Sequence, residues 1–552
     1  MIKNKKSGLL FSSGTMLLIF SLVTVSVHAQ NPPKKTSTID INSSYKPVLR
    51  NAVKLNFSAT HLNADTTAPN LTYSIPAQNL FYSYQPIPLK PLALQQDTNL
   101  YLGLRNYVKA GYGNFATPYV SAGFSFGDGK QFLANVYADY ISQKGKLLYQ
   151  DYSKLNLKAA GSFFLPTNEV YAGVDVRMHE NFLYGYDTAV YKYTKKDVRQ
   201  QFQDFGFNIG IRNTKTGEFG INYNPSLQVS SFTNVNKLSE TSFILNAPVE
   251  KQFGEAFTFK IEGKADVTVY KTKNLVPDVK INNNVFQIAP SLVFSTPRFS
   301  INGGIAPTWD NGKFIWLPNV FAEAYIAENV FAFQAGWVGR LTKNTYRNLS
   351  AVNPYLAAFT AQLNTKETEY YGGIKGTLGK HFNFNAKAGY VTYENLPFFI
   401  NDTATDGKAF LISNETKVKN FRIHGDVSFV SKEKFTVTAG VTFNGYTGMK
   451  SNAKAWNTLP MEFTSSLRWW AIKQVLIKAD FYAYGGSFYL DKGNVSKAFK
   501  PGSDLSAGVE FKINKTFSAW MDVNNILNTK YERWHNYEVL GLNLMGGVRV
   551  NF

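Results

Sequence analysis

From about residue 99 to the end of the chain, apolar and polar residues alternate with a period of two. In the last segment Leu540, Leu542, Leu544, Gly546, Val548, Val550 and Phe552 share one parity, and Gly541, Asn543, Met545, Gly547, Arg549 and Asn551 share the other. Phe435, Val437, Ala439, Val441 and Phe443 alternate with Thr436, Thr438, Gly440, Thr442 and Asn444. Phe382, Phe384, Ala386, Ala388 and Tyr390 alternate with Asn383, Asn385, Lys387 and Gly389. Successive side chains of a strand point to opposite faces, so each run predicts a strand that is apolar on one face and polar on the other.

The spacing of the breaks separates a membrane barrel from a soluble sandwich. Ten tight turns are predicted at 127–130, 165–169, 214–218, 252–256, 295–298, 327–329, 379–381, 431–434, 471–474 and 513–516. Between them lie mostly longer connections rich in Tyr, Asn, Lys and Gly, for example near 185–200, 344–366, 395–410, 446–456, 486–500 and 528–538. Alternation of short with long connections is the pattern of an outer-membrane barrel, which has short periplasmic turns and long extracellular loops. The breaks count out about 22 strands, an even number that leaves both ends of the barrel domain on the periplasmic side; a 14- to 20-strand barrel with a few longer loops is the alternative count. No uninterrupted run of 18 apolar residues follows residue 29, so no further membrane helix is predicted. The expected fold is therefore all-β: an antiparallel transmembrane β-barrel over residues 99–552.

The amino-terminal part reads differently. Lys3, Lys5 and Lys6, an apolar stretch over residues 16–27, and Val27-His28-Ala29 before Gln30 predict a secretory signal peptide over residues 1–29. Residues 30–98 hold eight of the 21 prolines, as in Tyr82-Ser83-Tyr84-Gln85-Pro86-Ile87-Pro88. Such spacing excludes a central strand and predicts a periplasmic or lumen-occupying segment.

Composition then narrows the chemistry. Cysteine is absent, which removes disulfides, thiolate metal sites and cysteine nucleophiles. The six His are scattered without metal spacing, and no Ser and His stand two apart on one strand face, so no metal, cofactor or catalytic residue is expected and the protein is not expected to be an enzyme. Aromatic residues reach 15 %, with 44 Phe and 32 Tyr; Tyr137, Tyr140, Phe163, Phe164, Tyr325, Trp469, Trp470 and Tyr482 are candidates for interfacial girdles. The net charge of +20 suits nucleic acid, an anionic membrane surface or acidic solutes, and the signal peptide argues against cytoplasmic nucleic acid. Lys144, Lys146, Lys192, Lys195, Lys196, Lys271, Lys273, Lys450, Lys454, Lys492, Lys497 and Lys500 fall in or beside the predicted outer loops. They are candidates to hold lipopolysaccharide phosphates or to draw in anionic solutes, against the plainer reading of solvated loop lysines.

The final strands resemble the carboxyl-terminal part of TonB-dependent outer-membrane receptors. The resemblance lies in Asp522-Val523-Asn524-Asn525-Ile526-Leu527-Asn528-Thr529-Lys530-Tyr531 and in Gly541 to Phe552 with its terminal aromatic. It implies structural roles for Asn524, Asn525 and Tyr531, and for Phe552 a part in the signal read by the barrel assembly machinery. That family also carries an amino-terminal plug and a coupling box; residues 30–98 are too short for the plug and show no such box, so the likeness is to plugless barrels of Bacteroidetes-type bacteria. The resemblance implies outer-membrane placement and solute passage or uptake, with a partner subunit or surface lipoprotein supplying what the chain lacks. The alternative is a scaffolding barrel that organises a surface lipoprotein or outer-membrane assembly.

Overall fold

The computed structural model describes residues 106–552, apart from 218, 274, 276, 328, 329, 380, 432 and 433. The expected signal peptide and the proline-rich segment lie outside the described residues. The wall of the described chain is one antiparallel sheet closed on itself, and two small two-stranded sheets stand apart from it in the outer connections. Its 23 wall strands make 22 staves, because Ile221–Tyr223 and Ser226–Asn234 both pair with Leu238–Phe253 and are two halves of one stave. The break falls at Asn224-Pro225, where proline offers no N–H to the ladder.

Closure is made by the first strand, Tyr107–Gly113, pairing with the last, Asn543–Asn551, from Tyr107 opposite Asn551 to Gly113 opposite Met545. An even number of staves is what lets these two ends meet antiparallel. At this seam a Cβ on Gly547 would stand 2.0 Å from the carbonyl oxygen of Ala110, so glycine sets how closely the seam strands approach.

All ten predicted tight turns fall between successive strands at one end of the barrel, the end that also holds Asn106 and Phe552, which bond to each other through their backbones. The long connections gather at the opposite, outer end. Alternation of short with long is incomplete there: the connections 114–116, 235–237 and 311–312 are as tight as the inner turns. Asn311 and Gly312 both have positive φ, 50° and 85°, the two-residue hairpin geometry that Asn-Gly favours.

The period of two sorts the wall into an apolar outside and a polar inside. Along Val279–Ser295, Phe286, Ile288 and Leu292 are exposed on the outer face while Gln287 bonds Thr308 across the bore face at 2.8 Å. Bore-facing charges are paired between staves: Arg340 and Arg422 share Glu367 and Glu369, Arg468 meets Asp480, and Lys109 and Lys478 share Asp522. The expected girdle divides by parity. Tyr140, Phe163 and Trp469 are exposed on the lipid side. Tyr137, Phe164, Tyr325, Trp470 and Tyr482 have the bore parity: Tyr325 bonds Glu323 at 2.7 Å, Tyr482 bonds Glu462 at 3.3 Å, and Lys512 lies over the Trp470 ring. The face is fixed by odd or even position rather than by nearness to a strand end, and a Tyr hydroxyl finds its partner in the polar bore. Exposed Phe126, Phe132, Phe253, Phe257, Phe299, Phe511 and Phe517 line the turn end in their stead.

Arg placed at Ile288 should cost about 2–4 kcal/mol in the bilayer, against a small effect for Arg at the neighbouring Gln287. Urea titration of both variants refolded into vesicles checks the contrast, and equal losses would count against this assignment of faces.

Candidate functional site: the loop cap over the outer mouth

The aromatic residues that sequence places in the long connections come together in one buried cluster at the outer end. It contains Phe182, Tyr184, Tyr186, Phe202, Phe232, Tyr270, Tyr346, Tyr355, Phe399, Phe410, Trp534 and Tyr537. These residues come from the outer ends of the wall strands and from three connections, 183–198, 343–364 and 525–542.

The connection 343–364 is tied down by three carboxylates of the wall. Lys343 donates to Asp266 and, at 2.7 Å, to the Thr268 hydroxyl. The Glu240 carboxylate accepts the backbone N–H groups of Tyr346 and Arg347 at 2.8 and 3.3 Å, the first turn of the short helix Tyr346–Val352. A carboxylate there satisfies amides that have no partner within the helix. Thr345 caps the same end, accepting from Asn348 N–H, and Arg347 donates to Asp204 at 2.9 Å. Farther along, Asn364 and Asn283 exchange amide hydrogen bonds at 2.8 Å in both directions.

The connection 525–542 folds back as a small hairpin, Glu532–Trp534 with Tyr537–Glu538. Trp534 lies edge-on between Phe399 and Phe410, with ring centroids 5.1 and 5.4 Å away, and Arg533 donates to the Asn457 carbonyl at 3.0 Å. Tyr537 donates to the Lys408 carbonyl, while the Glu538 carbonyl accepts from Tyr184 at 2.8 Å and Gln150 at 2.9 Å.

Tyr184, Tyr355 and Tyr537 are the meeting point. The rings of Tyr355 and Tyr537 stack with centroids 3.5 Å apart, and Tyr184 packs edge-on at 4.7 Å from Tyr537 and 6.2 Å from Tyr355. Counted from Tyr107–Gly113, their connections follow staves 5, 13 and 21 of 22, which are 8, 8 and 6 staves apart round the ring. Three loops rooted almost evenly round a circle touch only if they reach inward over its mouth, so the outer mouth is covered by loops. Burial raises the pKa of all three phenols, keeping them neutral.

On the outer side of this contact a cleft of about 580 Å³ opens among five connections. Asp187, Asp406, Asp491, Glu532 and Glu538 line it together with Lys492, His535, Tyr184 and Tyr186. Asp406 and Asp491 are paired to Lys408 and Lys497. Among the described residues no three of His, Asp and Glu converge to hold a metal ion.

The lysines expected in the outer loops are thus divided. Lys195 pairs with Asp151 at 2.6 Å, Lys497 pairs with Asp491 at 2.6 Å, and Lys192 donates to the Thr188 carbonyl, while Lys271 and Lys273 stand on the outer rim of the wall. Asn524 and Asn525, expected to be structural, are fully buried: Asn524 bonds Asn543 at 3.1 Å, and Asn525 donates to the carbonyls of Thr529 and Leu540 at 2.9 Å. Tyr531 donates to Asp504 at 3.2 Å, and the Phe552 ring lies exposed beside Phe124. The tyrosine contact itself was not singled out in the sequence; its only signal there is the Tyr and Asn content of the long connections.

No protein-family model matches this sequence, and no curated protein matches it. Solved structures do match. The FrpB iron transporter from Neisseria meningitidis aligns with a TM-score of 0.62 at 11 % identity over 81 % of each chain. The ferric-catecholate import receptor Fiu from E. coli aligns at 0.61 and 11 % identity over 82 % of each chain. The ferripyoverdine receptor of the outer membrane of Pseudomonas aeruginosa aligns at 0.60 and 13 % identity, over 81 % of this chain and 72 % of its own. The resemblance to receptor barrels seen in the last strands thus extends to the fold of the whole described barrel.

One consequence concerns pH. Asp406 is partly desolvated, which pushes its carboxyl up, but hydrogen bonds from Lys408 and Tyr193 outweigh this and hold it below the ordinary 3.8. Desolvation opposes the charge on Lys408 too, and the bond to Asp406 more than restores it, above 10.5. The depressed acid contributes stability that is complete above its ordinary value and lost as pH falls through the folded one; the raised base contributes stability lost only as pH rises through its folded value. Hydrogen-exchange protection of residues 402–409, corrected for intrinsic rate, should therefore stay flat between about pH 5 and 10 and drop at the acid end. A step near pH 6–7 would contradict the assignment.

Proposed function

We propose that this protein is an outer-membrane uptake barrel whose gate is the loop cap. One observation carries the reading: a wall apolar outside and charged within is covered at its outer mouth by loops that meet at Tyr184, Tyr355 and Tyr537, not by the wall itself. A bore of 22 staves is wide enough for a large solute and would leak if left uncovered. A contact made of side chains on connections can open while the ladder stays intact.

The matched structures are described as carriers or receptors of iron or ferric complexes, which supports import as the direction. The cleft above the contact is the proposed landing site. It holds more carboxylates than lysines and no metal-binding trio, so it favours neutral or cationic organic solutes over anions or bare metal ions. The Asp406–Lys408 pair keeps its charges through neutral pH, so at that tie the work of opening must come from binding. A partner subunit is the proposed source of the part that a solute does not supply.

The chain has no cysteine, so a single Ser466→Cys on the bore face is a clean reporter. An impermeant thiol reagent added from outside should label it slowly in the otherwise unchanged barrel. With Tyr184→Ala, Tyr355→Ala and Tyr537→Ala combined, labelling should rise about tenfold or more, each lost aromatic pair being worth roughly 0.5–1.5 kcal/mol. Equal rates in barrels shown to be folded by heat-modifiable gel mobility would refute the gate.

A further inference from the structure

The outward face of the outer rim carries a charge pattern that the gate does not use. In the hairpin Phe257–Thr272 with Val279–Ser295, Lys271 stands directly opposite Lys280. One step toward the rim, the Lys273 N–H bonds the Lys237 carbonyl at 3.2 Å, which brings a second pair of lysines beside the first. Alternation fixes their direction: Tyr270 and Thr272 are buried inward, and Val279 and Ile281 pack on the inner aromatic cluster, so Lys271 and Lys280 point outward.

Like charges directly opposite on neighbouring strands destabilise a sheet. Basic residues also stand opposite one another in the bore, Lys109 with Arg549 and Arg468 with Lys478, but there each meets an acid, Asp522, Glu510 or Asp480; likewise Lys260 pairs with Glu250 and Lys343 with Asp266 on the bore side of the lysine staves, and Lys366 pairs with Glu394 on another part of the rim. Lys237, Lys271, Lys273 and Lys280 form no ion pair among the described residues, and Asp278 in the adjoining connection pairs with none of them. Outward Ser239, Thr241 and Asn282 surround the two facing lysines with further hydrogen-bonding groups.

Below the lysines on the same face the wall forms a shallow channel. Ala265 and Gly263 make its floor, and Leu245 on one side and Phe286 and Ile288 on the other, all exposed, make its walls. A Cβ added to Gly263 would meet only Ala247, at 4.0 Å, so the floor is open. Unpaired cations at the rim above an apolar channel running down the wall match one kind of partner, an amphiphile with anionic oxygens at its head and hydrocarbon below. We infer that this face docks a phosphorylated lipid of the outer leaflet, its phosphate on Lys237, Lys271, Lys273 and Lys280 and an acyl chain along Gly263 and Ala265. Neither element of the gate takes part, so the two readings stand or fall separately.

The test uses the full chain in detergent, with native mass spectrometry reading bound lipid A, dephosphorylated lipid A and inorganic phosphate. Wild type should retain lipid A. Combined Lys237→Gln, Lys271→Gln and Lys280→Gln should weaken it about a hundredfold, roughly a factor of five per lysine near a membrane surface. Lys417→Gln with Lys419→Gln should leave binding unchanged, and Ala265→Trp should weaken lipid A by obstructing the channel. Heat-modifiable mobility confirms that each variant is folded. The inference is overturned if the triple variant retains lipid A like wild type, if dephosphorylated lipid binds as tightly, or if millimolar inorganic phosphate alone displaces the lipid, which would reduce the patch to a simple anion site.

Discussion

Within hydrocarbon there is no water to satisfy a backbone N–H or C=O, and the whole molecule is arranged round that constraint. A sheet has unpaired groups at both edges unless its edges meet, and here they meet between Tyr107–Gly113 and Asn543–Asn551. Once the ring is closed, every wall residue has one face toward lipid and one toward the bore, and the alternation of the sequence becomes a division of solvents. Gly111 and Gly547 at the seam show how tight that closure is: a side chain on Gly111 would collide with the Trp520 indole that packs over it. The paired charges of the bore follow from the same constraint, since a wall that must be apolar outside leaves its ionisable groups only the inside.

What covers the bore obeys different physics. The cap is a hydrophobic core built outside the membrane, held by stacked and edge-on rings and tethered by charge-assisted hydrogen bonds to Asp204, Glu240 and Asp266 of the wall. Ladder hydrogen bonds open only with the barrel, whereas loop contacts open locally, because their backbone is not part of the ring. The proposed gate rests on that difference in cooperativity, between a wall whose ladder stays closed and a cover whose contacts can open locally. The lysine patch on the outer rim belongs to neither, and faces the lipid that the wall itself must tolerate.

The fold was legible because its information is local. Turn signals and parity are read within a few residues, so the ten turns, the stave count and the faces of segments such as Phe435–Thr447 follow from sequence directly. The girdle shows the limit: Tyr137, Tyr325 and Tyr482 lie where aromatics gather, but their parity places them in the bore, and parity outranks position along the strand. The cap was beyond reach for a deeper reason. Its contacts join residues as far apart as Gln150 and Glu538, 388 positions in sequence, and nothing local says which of the long connections fold inward. Inward-folding loops follow only once the ring is drawn and Tyr184, Tyr355 and Tyr537 are placed on it at nearly even intervals.

The central claim is that the period of two divides lipid from bore, and it is tested most directly by a fluorophore scan in a lipid bilayer. Single cysteines introduced one at a time from Phe382 to Tyr390 in this cysteine-free chain carry an environment-sensitive label, read against a quencher attached to the acyl chains. The account predicts quenching at even positions, from Phe384 through Ala386 and Ala388 to Tyr390, and protection at Asn383, Asn385, Lys387 and Gly389. Uniform quenching along the segment, or quenching that does not repeat every second residue, would contradict it.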